Sequence, residues 1–280
     1  MSASPSRRPR SVIVTRLRSA GCVFAEDEAR LLISAAGTPA DLAAMVDRRA
    51  AGLPLEHVLG WAEFCGLRIA VDLGVFVPRR RTELLVRQAA ALARQAASPA
   101  DQAAARPRTV VVDLCCGSGA VGTALVAALD RVELHAVDTE PAAVRCARRN
   151  VAAAGGQVYE GDLYEPLPAP LRGRVDVLVA NAPYVPTEAV GLLPPEARVH
   201  EPRVALDGGA DGLDVLRRVI AVAPQWLAPG GHLLVETSER QAQQTVEIVA
   251  RNGLIPRVAS SDELNATVVI GTRFAARGPG

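Results

Sequence analysis

Apolar residues follow two rhythms along this 280-residue chain. Across residues 11–60 they recur at helical spacing: Val12, Ile13 and Leu17, then Leu31, Leu32 and Ile33, then Leu42, Met45 and Val46. Gly21, Gly37-Thr38-Pro39 and Gly52-Leu53-Pro54 interrupt those runs. The segment therefore reads as a small helical domain of three or four short helices, preceded by a flexible tail over residues 1–10. Residues 61–100 hold a hairpin-like stretch, Glu63 to Val71, then Val75-Phe76-Val77-Pro78 leading into a helix from about Arg81 to Ala97. Ser98 to Arg108 is rich in Ala, Pro and Gln and reads as a loop.

From Thr109 the rhythm changes. Thr109-Val110-Val111-Val112-Asp113-Leu114 is a continuous apolar run, the pattern of a strand covered on both faces. Helices are predicted at Ala120–Leu129, Pro141–Ala153, Leu213–Trp226 and Arg240–Arg251. Strands are predicted at Val132–Val137, Gly156–Tyr159, Val175–Ala180 and Gly231–Val235, with Thr267–Phe274 closing the chain. Alternating strands and helices imply an α/β fold with a doubly wound, mostly parallel sheet, its ligand at the carboxyl ends of the strands. Only one helix and a short Gly253–Ile255 segment lie near the last two strands, which fits an antiparallel hairpin at one edge.

Composition narrows the function. Hydrophobic residues make up 49% and charged residues 22%, enough apolar material for a core. Every basic residue is Arg, and the net charge is +1, so no global field draws the chain to nucleic acid or an anionic membrane. Aromatics are 3%, which leaves few platforms for stacked bases. The five cysteines, Cys22, Cys65, Cys115, Cys116 and Cys146, form no CxxC and no regular spacing, arguing against a zinc site or a disulfide scaffold and for a reducing cytoplasm. No apolar run is long enough to span a bilayer, and no apolar segment of a secretory signal follows the Arg-rich start. His57, His135, His200 and His232 lack metal-ligand spacing, so no metal is expected.

Candidate chemistry begins where the first long strand ends, in Asp113-Leu114-Cys115-Cys116-Gly117-Ser118-Gly119-Ala120-Val121-Gly122. Glycines let the chain turn sharply and let a ligand approach the backbone. Asp138 ends the next strand, placed to accept from two ribose hydroxyls. Gly117, Gly119 and Gly122 spell GxGxxG, so a nicotinamide or flavin enzyme stays open on this loop alone. Asp113 would repel a pyrophosphate but suits a ligand carrying an amino group and a sulfonium, which is S-adenosyl-L-methionine. Asp162, in Gly161-Asp162-Leu163-Tyr164, could accept from an adenine amino group. The fourth strand ends in Asn181-Ala182-Pro183-Tyr184, which a dehydrogenase does not need.

With that last motif the chain resembles the protein-(glutamine-N5) methyltransferases, typified by the release-factor glutamine methyltransferases, whose pattern there is Asn-Pro-Pro-Tyr. The resemblance runs from about Leu53 to Gly271. It includes Gly52-Leu53-Pro54-Leu55 with Leu59-Gly60, then Glu63-Phe64 with Gly66-Leu67, before the hairpin. Val77-Pro78-Arg79 with Thr82-Glu83-Leu84-Leu85-Val86 is similar to the family's Pro-Arg-Pro-Glu-Thr-Glu segment. Glu201-Pro202-Arg203 with Ala205-Leu206-Asp207-Gly208-Gly209 and Asp211-Gly212-Leu213 resembles the stretch downstream. The resemblance implies a seven-stranded Rossmann-like methyltransferase domain over residues 101–280. It also implies S-adenosyl-L-methionine as methyl donor and a protein carrying a target glutamine, a release factor, as partner.

The expected site follows from both readings. Cofactor residues are Asp113, Cys115, Cys116, Gly117, Ser118, Gly119, Asp138, Asp162, Leu163 and Asn181. Catalytic and acceptor residues are Asn181, Ala182, Pro183 and Tyr184. A carboxamide nitrogen is a poor nucleophile because its lone pair is delocalised. The Asn181 side-chain oxygen and the Ala182 carbonyl can accept its two N–H groups, Pro183 stiffens the turn, and Tyr184 can pack on the amide plane. The chain departs from the family at Ala182 (Pro), Arg80 and Arg81 (Pro and Glu), Cys115 and Cys116 (Gly and Thr), Glu236-Thr237-Ser238, and the unclear closing Asp-x-x-Gly-x-Arg. Those departures leave room for a paralogue with another target or for a small-molecule acceptor; an exocyclic amine of nucleic acid would use the same Asn-x-Pro-Tyr site, but near-zero net charge and few aromatics disfavour it.

Overall fold

A computed structural model describes residues 7–96 and 108–275. The tail through residue 6 and the loop over 97–107 lie outside the described residues. Four helices come first: α1 (Arg7–Ser19), α2 (Ala25–Ala35), α3 (Pro39–Ala50) and α4 (Leu55–Leu59). Helix α1 thus begins within the stretch expected to be tail. The start of α3 is written locally: Thr38 accepts the Asp41 N–H at 3.1 Å, and Pro39 supplies a preset φ in the first turn. These helices share a core of their own around Leu17, Ala25, Ala29 and Leu32, all fully buried.

A two-stranded hairpin follows, β1 (Trp61–Phe64) and β2 (Leu67–Ala70). Cys65 and Gly66 turn it, both at positive φ (51° and 74°), as a two-residue hairpin loop of matching twist requires. A 3-10 turn at Arg80–Thr82 then opens α5 (Glu83–Ala96).

The main sheet contains β3 (Thr109–Leu114), β4 (Val132–Asp138), β5 (Gln157–Glu160), β6 (Val175–Ala180), β7 (Leu227–Thr237), β8 (Leu254–Ser261) and β9 (Ala266–Arg273). Its order is β5-β4-β3-β6-β7-β9-β8; β5 through β7 pair parallel, and β9 runs antiparallel to both its neighbours. The apolar run in β3 serves two cores. Val110, Val112 and Leu114 face the layer that contains α9 (Asp214–Trp226) and α10 (Glu239–Arg251). Val111 faces the layer containing α5 and α6 (Ala120–Ala128). Helix α7 (Pro141–Ala152) packs beside α6 and along β4 and β5.

Two features were not legible in the sequence. Strand β8 is eight residues long, where only a short segment was expected near Gly253–Ile255. It carries Pro256, and past Leu254 every position is exposed or half-buried, which an edge strand permits because one side pairs with nothing. Between β6 and α9 lie a six-residue helix α8 (Pro195–His200) and 3-10 turns at Thr187–Leu192 and Arg203–Ala205, too short for periodicity to reveal.

Candidate active site

The strand order reverses between β3 and β6, and the candidate residues gather at the carboxyl ends there, as an open α/β sheet requires. Two cavities adjoin at this edge, about 510 and about 570 Å³. The first is lined by Asp113, Cys115, Cys116, Gly117, Ser118, Asp138, Asp162 and Leu163. The second is lined by Ala182, Tyr184, Arg79, Arg81 and Glu201, with Pro54 and Glu56 from the N-terminal helices. Asn181 and Pro183 line both, so they form the wall between.

Of the expected residues of the first cavity, only Gly119 stands apart from its lining. A Cβ there would meet Val151 at 2.9 Å and Ala147 at 3.2 Å, so glycine serves the packing of the loop on α7. Cys115 adopts φ 55°, a left-handed conformation that costs a non-glycine residue about 1 kcal/mol. Burial pushes both the Cys115 and Cys116 thiols up, and the Asp113 and Asp138 carboxylates push further, so neither is a thiolate nucleophile.

The carboxylates at the loop are held by backbone donors. Asp138 accepts from Gly117 N at 2.8 Å and from Glu140 N at 2.9 Å, which leaves further lone pairs on each oxygen. Burial raises its pKa and those N–H groups pull it back. Asp113 accepts from Gly122 N at 2.8 Å, and a Cβ on Gly122 would lie 3.1 Å from that same carboxylate oxygen. Burial lifts Asp113 to about 7, with the Gly122 N–H opposing and Asp138 adding to the rise. Asp162 is not free: it pairs with Arg218 from α9, and both line the first cavity.

The Asn-Ala-Pro-Tyr turn is braced from three sides. Asn181 Nδ2 donates to the Thr82 hydroxyl at 3.2 Å, while among the described residues no group donates to its oxygen. Tyr184 donates to Glu236 Oε1 at 3.1 Å, and Arg81 Nε lies 3.4 Å from that oxygen. Burial raises the Tyr184 phenol and the neighbouring Glu236 raises it further, so Tyr184 keeps its proton. Gln241 donates to the Tyr184 carbonyl at 2.9 Å, and a Cβ on Gly212 would come within 2.3 Å of that carbonyl. Gly208 also lies too close for a side chain, its Cβ position 2.7 Å from the Pro183 carbonyl. The glycines downstream are thus the surface on which the turn rests.

The three arginines divide. Arg79 donates to both oxygens of Glu201 at 2.6 Å, and Val77 N donates to Glu201 Oε1 at 3.1 Å, joining two segments the sequence showed separately. Arg81 faces Glu236 and the Tyr184 ring, whose centroid is 5.9 Å away. Arg80 stays mostly in solvent, with its side chain 75% exposed. Thr82, Glu201, Arg218 and Glu236 were missed as site residues. Three of them fall inside or beside the motif segments already noted, but their partners are distant in sequence. Among the described residues no cluster of His, Cys, Asp and Glu could hold a metal ion, and no helix is long and apolar enough to cross a membrane.

The chain is similar to known methyltransferases. Residues 100–194 match the family described as Methyltransferase small domain. The release factor glutamine methyltransferase of Geobacter sulfurreducens is 38% identical over 241 residues, covering 84% of this chain and 80% of that protein. The protein of the same name from Mycolicibacterium smegmatis is 37% identical over 256 residues, covering 89% and 86%. Among solved structures, the T. thermophilus 16S rRNA N2 G1207 methyltransferase in complex with AdoMet and guanosine shares the fold. It aligns with a TM-score of 0.50 at 18% identity, covering 76% of this chain and 49% of that one.

Proposed function

The chain belongs to the release factor glutamine methyltransferase family, and from that premise we propose how its own residues carry out the transfer. The enzyme moves a methyl group from S-adenosylmethionine to the side-chain amide nitrogen of a glutamine in a release factor. The alternatives, an exocyclic amine of nucleic acid or a small molecule, are not favoured by these relatives. We assign the activity to the cytoplasm, where release factors act.

The first cavity fits the cofactor on its chemistry. Four carboxylates, Asp113, Asp138, Glu140 and Asp162, and one cation, Arg218, line it beside an apolar wall that includes Val75, Phe76, Val121 and Leu163. That net negative lining suits the sulfonium and ammonium of S-adenosylmethionine and opposes a pyrophosphate, which weighs against the nicotinamide reading. Asp138 would hold the ribose and the Gly117-Ser118 backbone would border it. Asp162, with Arg218, would flank the base, and Asp113 would favour the cationic end. When bound, the cofactor supplies an electrophilic methyl group on sulfonium.

The second cavity would take the glutamine. Asn181 Oδ1 and the Ala182 carbonyl accept the two N–H groups of the carboxamide, which fixes its plane and directs the nitrogen lone pair toward the first cavity. They also stabilise positive charge as it grows on that nitrogen, in a site that needs no reorganisation. Pro183 keeps the turn stiff, and Tyr184, held by Glu236, supplies an apolar face for the amide. The substitution of Ala182 for proline leaves the accepting carbonyl in place. The extra proton can leave to water after transfer, so no strong base is required.

The observation that carries this reading is the shared wall: Asn181 touches both cavities, and among the described residues no group donates to its oxygen. Asn181→Ala is expected to abolish methyl transfer to release factors while S-adenosylhomocysteine affinity stays within about threefold, since Asn181 is one of many residues lining the cofactor cavity but the one side-chain acceptor offered to the amide. Parallel loss of transfer and cofactor affinity would contradict the acceptor role.

A further inference from the structure

The proposed chemistry uses only one end of the Asn181 side chain. An asparagine amide is nearly symmetric in shape, with an accepting oxygen at one tip and a donating NH2 at the other. Turned over, Asn181 would meet the glutamine NH2 with its own NH2, donor against donor, and the site would lose its acceptor. Something must hold the oxygen on the substrate side.

Resting on the functional reading above, we propose that Thr82 is a positioning residue: its hydroxyl holds the Asn181 NH2 and so presents the Asn181 oxygen to the glutamine amide. The contact is Asn181 Nδ2 to Thr82 Oγ1 at 3.2 Å. Thr82 sits at the start of α5, is 2% exposed and lines the first cavity, so bulk water does not compete for its hydroxyl.

A hydroxyl alone does not choose, because it can accept from NH2 or donate to C=O. Glu236 breaks the tie. It lies at the carboxyl end of β7, beside β6, where Val235 pairs with Ala180. It is 2% exposed, and one of its oxygens, Oε2, is buried without a hydrogen-bond partner. Burial pushes its carboxyl up; the Thr82 hydroxyl, Arg81 and Tyr184 all favour the charged form. A buried carboxylate takes the hydroxyl beside it as a donor, so the Thr82 O–H is turned toward Glu236. The hydroxyl lone pairs are then left for Asn181, which must donate. The same carboxylate accepts from Tyr184, so both ends of the motif take their orientation from β7.

The test compares Thr82→Val, which keeps the shape and removes the hydroxyl, with Thr82→Ser, which restores it. Rates are measured on the full chain with varied release factor, beside S-adenosylhomocysteine affinity and the thermal midpoint. Losing one hydrogen bond of about 1.4 kcal/mol corresponds to tenfold, so Thr82→Val is expected to lower kcat about tenfold. KM and S-adenosylhomocysteine affinity should stay within about twofold, and Thr82→Ser should recover most of kcat. If Thr82→Val does not fold, Thr82→Ala gives the same comparison. A kcat unchanged by loss of the hydroxyl would overturn the proposal. So would equal impairment of the Val and Ser variants, or a loss confined to cofactor affinity or folding. Wild-type enzyme inactive on release factors would instead overturn the functional reading, whatever the variants do.

Discussion

Asp113 is buried among apolar strands, yet its carboxylate faces the cavity assigned to a cationic cofactor. Burial lifts it from 3.8 to about 7. The folded chain therefore holds a proton that the unfolded chain releases, so this group makes the free protein less stable as pH rises from about 4 to about 7. Binding runs the other way: the ionised form attracts the cofactor's ammonium. S-adenosylhomocysteine affinity measured by calorimetry from about pH 6 to about pH 8 is expected to rise, and Asp113→Asn to flatten the profile. A wild-type profile as flat as the variant's would remove Asp113 from cofactor binding. Asp113, Asp138 and Asn181 were legible in the sequence because each ends a strand, and strand ends in this fold face the ligand. Thr82 and Glu236 were not. Their meaning lies in hydrogen bonds that cross 99 and 52 positions of chain, which no local spacing reports.

At the scale of elements, three helices meet on one guanidinium. Arg49 of α3 donates to both oxygens of Glu28 on α2, at 2.6 and 3.1 Å, and to Glu196 of α8 at 2.6 Å. Its side chain is 7% exposed and that of Glu28 is 10%, whereas that of Glu196 is 47%. The inner pair is the costly one to break: Arg49→Ala strands a buried carboxylate and is expected to destabilise the helical region by about 3 kcal/mol. Replacing both partners, as Arg49→Met with Glu28→Leu, should restore most of that loss in a denaturant titration. Equal stability of wild type and Arg49→Ala would show that the pair holds nothing. The helices themselves were readable from their period and the glycines and prolines that interrupt it. The joint with α8 was not, because α8 is a six-residue helix in a proline-rich segment. The parallel strands were readable from their apolar runs, whereas β8 hid behind Pro256 and a run that is neither continuously apolar nor alternating.

Across the whole molecule, the cofactor cavity is built chiefly by the loops after β3, β4, β5 and β6, the part of the chain whose alternation announces the fold. The acceptor cavity is composite. Pro54 and Glu56 precede or begin α4, Arg79 and Arg81 precede α5, and Leu193 to Ala197 lie between β6 and α9. That division explains why cofactor class followed from the sequence more directly than the shape of the acceptor site. The glycine loop and its carboxylates are contiguous or one strand apart, while the acceptor site assembles only when distant segments meet. It also explains why the departures at Arg80, Arg81, Cys115 and Cys116 do not remove the chemistry. Arg81 finds a carboxylate in Glu236, Arg80 stays mostly in solvent, and the two thiols stay protonated at the cavity wall. The most direct test of the account is tandem mass spectrometry of a release factor incubated with the full chain and S-adenosylmethionine. The account expects one added methyl group, located on the side-chain amide of a glutamine and missing with Asn181→Ala. A methyl group on any other residue type, or one that persists at the same site with Asn181→Ala, would contradict it.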